Sequence, residues 1–249
     1  MKLILIAVAV ALLPQDPAPE AWFSWHGFGV GSRTVIRKSD IGGAEAPVKT
    51  YRRTLAAIEN GWPKVAIEVK EGDSKEWSGV GTERVPYEGK TAAAQGYTGK
   101  EMPKGEGTID GKKVAVTVMA WTKGDFTLTV TRAAGMNLPL RDAPGAPFNI
   151  TLPVDTVAWQ ISGENLTIEM HVVATDQKRK VGDREVSCLY EEGSMTHKVK
   201  EAGLKGKTKV WTSASVPGRK VRSETENDAG GKVTGSIEEL VEFEAKPAK

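Results

Sequence analysis

The 249-residue sequence predicts an all-β fold, and three observations predict it. Apolar and polar residues alternate with period two in segment after segment. Clusters of Gly, Asn and Asp separate those segments, and no long stretch carries the 3.6-residue period of a helix. Strands apolar on one face and joined by short turns imply antiparallel pairing. The expected architecture is a curved antiparallel sheet or half-barrel of about a dozen strands, with a two-sheet β-sandwich as the alternative.

The elements follow in chain order. Met1-Lys2 precedes an unbroken apolar run, Leu3 to Leu13, which Pro14-Gln15-Asp16-Pro17 ends. A cationic start, a short apolar core and a polar stop form a secretory signal, and the run falls short of the roughly 20 residues a membrane span needs. Residues 1–20 are therefore expected to be a signal peptide, with the mature N-terminus between Ala11 and Ala21. Residues 21–249 are expected to form a single all-β domain, exported to a periplasmic or extracellular location. No second long apolar run follows, so no transmembrane segment is expected.

Gly27-Phe28-Gly29-Val30-Gly31-Ser32 bends the chain into a strand at Arg33–Lys38. Val48–Ile58 and Pro63–Lys70 flank Asn60-Gly61, a strong hairpin signal. Val114, Val116 and Val118 alternate with polar residues, and Lys123-Gly124 turns the chain into Phe126–Thr131. Leu166, Ile168, Met170 and Val172 continue the pattern, as do Val186, Cys188 and Tyr190. A final pair is joined by Asn227-Asp228-Ala229-Gly230-Gly231 and closes on Val233, Ile237, Val241 and Phe243. Thr54–Asn60 and Thr91–Gln95 offer the best helical propensity, for one or two turns each. Ala133–Pro147, rich in Pro and Gly, is a long loop expected to cover the sheet near its mouth. A weak similarity between the segments starting at Gly111 and Gly182 raises the alternative of two similar halves.

Composition restricts function. Removing residues 1–20 takes away Lys2, Asp16 and Glu20 and shifts the formal net charge from +2 to +3. Charges of both signs are interspersed, which disfavours nucleic acid as a partner. Cys188 is the single cysteine, so no internal disulfide can form; its alternation with Val186 and Tyr190 marks it as a small buried apolar residue. The chain has no nucleophile elbow, zinc-binding pair spacing, calcium loop or phosphate-cradling glycine loop. Of the three histidines, His26 lies near the mature N-terminus, His171 is expected to face solvent, and His197 is expected in a hairpin connection. No catalytic residue, metal or cofactor is expected. The remaining catalytic candidate is Glu239, in parity with Val233, Ile237, Val241 and Phe243. Apolar surroundings would raise its pKa toward that of a general acid, whereas a bulge at Glu238-Glu239 would return it to water; the bulge is the preferred reading.

Aromatic and methionine residues suggest binding. Trp121 alternates with Ala115, Thr117 and Met119, giving a strand with apolar character on both faces, as a ligand-holding concavity would require. Trp211 shares parity with Lys209 and Ser213, which suggests partial exposure.

Lys209-Val210-Trp211-Thr212-Ser213-Ala214-Ser215-Val216-Pro217-Gly218-Arg219-Lys220-Val221 places an aromatic strand, a Pro-Gly bend and a second strand in succession. With the signal segment and the Phe28-Gly29-Val30-Gly31-Ser32 lead-in, it resembles bacterial exported envelope proteins of the lipoprotein-carrier type. That resemblance spans most of residues 28–244 and implies a half-barrel around an apolar cavity. The acyl-anchoring cysteine of the lipoprotein members is missing, and no functional residue transfers. The expectation is an exported, non-catalytic protein holding a lipid or other apolar or amphipathic small molecule, with Met119, Trp121, Met170 and Trp211 lining its site. A carbohydrate-binding or interaction module stacking ligands on Trp211 is the alternative, and a carboxylate hydrolase the last.

Overall fold

The computed structural model describes residues 25, 27–42, 47–60, 62–84, 91–93, 96–139, 141–143, 150–199 and 202–248. The expected signal segment, residues 1–20, lies outside them. They contain β1 (Arg33–Ile41), β2 (Lys49–Glu59), β3 (Trp62–Glu71), β4 (Ser78–Arg84), β5 (Thr98–Ile109), β6 (Lys112–Lys123), β7 (Phe126–Ala133) and β8 (Arg141–Ala143). These are followed by β9 (Ile150–Leu152), β10 (Thr156–Ser162), β11 (Leu166–Val181), β12 (Arg184–Val199), β13 (Ala202–Thr212), β14 (Lys220–Ala229) and β15 (Lys232–Glu244). There is no α-helix among the described residues, and the Thr54–Glu59 stretch belongs to β2. Its alternating contacts with β3 override local helical propensity. Of the Thr91–Gln95 stretch, residues 94 and 95 lie outside the described residues.

Thirteen strands form one antiparallel sheet in the order β4-β3-β2-β1-β15-β14-β13-β12-β11-β10-β7-β6-β5, while β8 and β9 pair separately. One continuous main sheet, not a sandwich, is the architecture. It is open, because β4 and β5 are its two edges. Pro103, Lys100, Lys104 and a bulge between Met102 and Gly105 suit β5 to an edge, where pairing with a further strand is discouraged.

Chain connectivity requires curvature. Twelve strand spacings of a flat sheet would separate the edges by about 58 Å. The chain from Arg84 to Thr98 reaches at most about 50 Å. The sheet therefore bends so that its edges approach; of the connector, residues 91–93, 96 and 97 are described. Its residues Ala92 and Tyr97 are buried against Leu128, Val130, Trp159 and Ile161, which identifies the concave face.

The glycine-rich lead-in and the C-terminal tail lock the seam where β1 meets β15. Gly29 N–H donates to Lys246 O at 2.6 Å, Lys246 N–H to Ser32 Oγ at 2.9 Å, and Leu55 N–H to Ser32 O at 2.9 Å. A Cβ on Gly29 would collide with the Pro247 carbonyl, so the close approach requires glycine there.

Candidate functional site

Strand register places the concave face residue by residue. One row runs Met119, Val130, Trp159, Met170, Gly193, Thr208, Thr225, Ser236, Asp40 across nine strands from β6 to β1. The next row runs Trp121, Leu128, Ile161, Ile168, Met195, Gly206, Asn227, Thr234. From β6 to β11 these residues are large and apolar; from β12 to β15 they are mostly glycine, threonine, serine and asparagine.

The apolar half is filled by the chain itself. Ala92, Tyr97, Ile150 and Leu152 pack onto Leu128, Val130, Trp159 and Ile161, with Trp121, Ile168 and Met170 at the margin. The Ala133–Pro147 segment covers the sheet as expected: Leu138 is buried with Ile109, Val116 and Val157. Residues 140 and 144–147 of this segment lie outside the described residues. Trp121 lies over the Gly99 backbone across the β5–β6 pair, where a Cβ would come within 2.6 Å of its ring. Met119, Trp121 and Met170 thus share a face and are partly buried.

Trp211 stands apart from them. Thr208, three residues earlier on β13, lies in the concave row, so Trp211 points to the opposite face. It is 6% exposed, which corrects the expected partial exposure. Its ring stacks on Tyr190 at 4.6 Å and 11°, Arg179 sits 4.6 Å from the ring centroid, and Nε1–H donates to Gln177 Oε1. Bulges between Val172 and Gln177 bend the β11–β12 hairpin over this ring. Trp211 is a core residue here and offers no exposed stacking platform.

From β12 to β3 the face is open only in part among the described residues, because Leu240, Ile36, Leu55 and Val65 are buried further along the same strands. Its floor, Gly193, Thr208, Thr225 and Ser236, is partly exposed. One wall is Met170 and Met195. The opposite wall carries Lys38, Tyr51 and Arg53 with Ile67 and Val69, which share the face by register and alternation. Between floor and wall stands Glu238, paired with Lys38 across β1–β15. Lys220 Nζ donates to Glu238 at 2.6 Å, and Lys38 Nζ lies 3.8 Å from it. Burial pushes the Glu238 pKa up, but the Lys220 hydrogen bond and the charges of Lys220, Lys38 and Arg53 outweigh it, holding the carboxyl below its ordinary range.

Other candidate groups are accounted for. On the opposite face, burial raises the Glu239 pKa, but hydrogen bonds from Arg37 at 3.0 Å and Arg222 at 2.7 Å bring it below its usual value. The shift is opposite to the one a general acid requires. Cys188 is fully buried, and burial pushes its thiol up to about 11, as expected of an inert core residue. His171 is exposed on β11. His197 lies within β12, paired with Leu166 and Leu204, and not in a hairpin connection; His26 lies outside the described residues. Among the described residues no trio of His, Cys, Asp and Glu is placed to hold a metal ion, and no helix is long and apolar enough to cross a membrane.

No family model and no curated protein matches the sequence. Two solved structures are similar. One is a Bacteroides fragilis protein provisionally described as exported, with a YmcC-like fold; identity is 11% over 90% of this chain and 98% of that one, at a TM-score of 0.36. The other is a Parabacteroides distasonis protein provisionally described as a lipoprotein, 12% identical over 90% of this chain and 99% of that one, also at 0.36. At that TM-score neither likeness carries an argument about this chain.

Proposed function

We propose that this chain is an exported, non-catalytic binding protein that holds an amphipathic ligand in the open half of its concave face. Export rests on the cationic, apolar and Pro-broken pattern of residues 1–20. The observation that carries binding is the change along a single register row: Trp159 and Met170 lie at the covered half, and Gly193, Thr208, Thr225 and Ser236 are left partly exposed beside it. Methionines on one wall and Lys38 and Arg53 on the other suit a molecule with an apolar and a polar side. A wholly apolar guest fits less well, because the apolar half is occupied by Ala92, Tyr97, Ile150 and Leu152.

Titration of the purified protein with a fluorescent acyl probe tests this reading. Saturable binding is expected, and Thr225→Trp, which raises a bulky ring from the trough floor, is expected to abolish it while leaving the circular dichroism spectrum unchanged. Probe binding that is absent, or indifferent to that substitution, would contradict the proposal.

A further inference from the structure

We propose that the ligand of this trough carries an anionic oxyacid group, a carboxylate or a phosphate, bound by Lys38, Arg53 and Lys220; this inference rests on the binding role proposed above. The three cations come from β1, β2 and the start of β14, and all lie on the concave face by register and alternation. Lys38 and Lys220 converge on Glu238, at 3.8 and 2.6 Å.

Arg53 is not satisfied by that carboxylate. Its Nε is shut off from solvent and has no hydrogen-bond partner among the described residues. Thr212 Oγ1, on the strand position paired with Lys220, is orphaned in the same way. Buried polar atoms are rarely left unpaired, and two of them beside one cationic cluster indicate acceptors missing from the chain's own side chains. A ligand oxyanion would supply them: it has several lone pairs, and a guanidinium fork matches its geometry.

The remaining charges on this face are of both signs. Lys49 is held by Glu71 at 3.1 Å, and Asp40 stands exposed two residues beyond Lys38. Glu191, buried in the same register row as Glu238 and Lys38, adds a carboxylate to Asp40, Glu71 and Glu238, so the case for an anion rests on the unpaired Arg53 Nε and Thr212 Oγ1 and not on a charge excess. On the opposite face of the same strands the cations meet carboxylates, and even Arg33 Nε, which lacks a hydrogen bond, lies 3.4 Å from Glu244. There Arg37 and Arg222 meet Glu239 and Glu224 in equal number, with hydrogen bonds of 2.7–3.0 Å. On the concave face Glu238 occupies the place that the ligand's acid group takes, and competes with it.

Calorimetric titration with three amphiphiles of equal chain length, below their critical micelle concentrations, decides the matter: a fatty acid, a monoacyl phosphate and a neutral monoacylglycerol. At least one anion is expected to bind about tenfold more tightly than the neutral compound, the scale of one charge-assisted contact. The tighter of the two tells carboxylate from phosphate. Lys38→Gln, or Lys220→Gln if the first does not fold, should remove the anion's advantage over the neutral compound. Glu238→Gln should strengthen anion binding several-fold, an effect a merely structural role for Glu238 would not produce. Equal affinity for the neutral compound, or weaker anion binding by a folded Glu238→Gln protein, would overturn this inference and leave the binding role standing. Failure of all three amphiphiles to bind would overturn both.

Discussion

The covered and open halves of the concave face are built from the same hairpin-linked strands, yet they end differently. Between β5 and β11 the face bears Trp121, Leu128, Val130, Trp159 and Ile161, and Ala92, Tyr97 and the β9 residues Ile150 and Leu152 pack onto it. Between β12 and β15 it bears Gly193, Gly206, Thr208, Thr225 and Ser236, and charged side chains stand at its far wall. The difference shows a division of labour within one sheet. The first half is closed over by the chain's own apolar side chains, whereas in the second apolar burial is gathered at one end, at Ile36, Leu55, Val65 and Leu240, and Gly193, Thr208, Thr225 and Ser236 stay partly exposed.

Substitutions can break or sharpen this contrast. The largest effect is expected at Trp159→Ala, in the covered half, which should cost about 3–5 kcal/mol in urea denaturation; its side chain is 4% exposed at the centre of that cluster. Next is Gly193→Ala, at the boundary. A Cβ there would press on the Glu169 carbonyl oxygen at 2.5 Å and Met170 Sδ at 2.8 Å, so a loss of about 1–3 kcal/mol is expected, the range for overpacking. In the open half, Thr208→Ala or Ser236→Ala should stay within about 0.5 kcal/mol. A penalty there as large as at Trp159 would erase the distinction between the halves.

Acid and alkali probe the same contrast more gently. Glu238 on the concave face and Glu239 on the other have depressed pKa values in the folded chain. Their stabilising contributions are complete above the ordinary carboxyl pKa and are lost as pH falls through the folded values, so denaturation midpoints should decline on the acid side of about pH 4.5. Glu239→Gln should flatten part of that decline. At the other extreme, burial raises the Cys188 thiol to about 11 and, with the Glu192 hydrogen bond, raises Tyr190 as well. The unfolded chain ionises first at these groups, so stability should fall as pH climbs past about 9. Cys188→Ala would lessen that loss while costing packing.

Most strands were legible in the sequence because they carry their own period-two signal; β5, exposed along most of its length, carries none, and β8 lies within the segment expected to be a loop. Asn60, Gly124 and Gly230-Gly231 lie at the turns between β2 and β3, β6 and β7, and β14 and β15, as their residue types imply. What local pattern could not reveal is long-range. The pairing of β1 with β15, and of β7 with β10 past the β8–β9 pair, is decided by contacts between distant segments. Trp211 shows the consequence most plainly: its neighbours Lys209 and Ser213 suggest an exposed face, but the bulged β11–β12 hairpin brings Gln177 and Arg179 onto it. Register puts Met119, Trp121 and Met170 on one face, whereas the Lys38, Arg53 and Lys220 cluster left no local signal. It joins residues from β1, β2 and β14, and only strand order brings them together. A usable signal did exist in the run of small residues at Gly193, Gly206, Thr208 and Ser236, where a sheet face lacks the bulk to make a core.

The most direct measurement is photo-crosslinking with an acyl chain bearing a diazirine, followed by mass-spectrometric mapping of the adducts. Adducts on Met170, Met195, Thr208 and Thr225 would bear out a guest lying in the open half of the concavity. Adducts confined to the opposite face, around Tyr190 and Glu239, or the absence of any site-specific adduct, would contradict it.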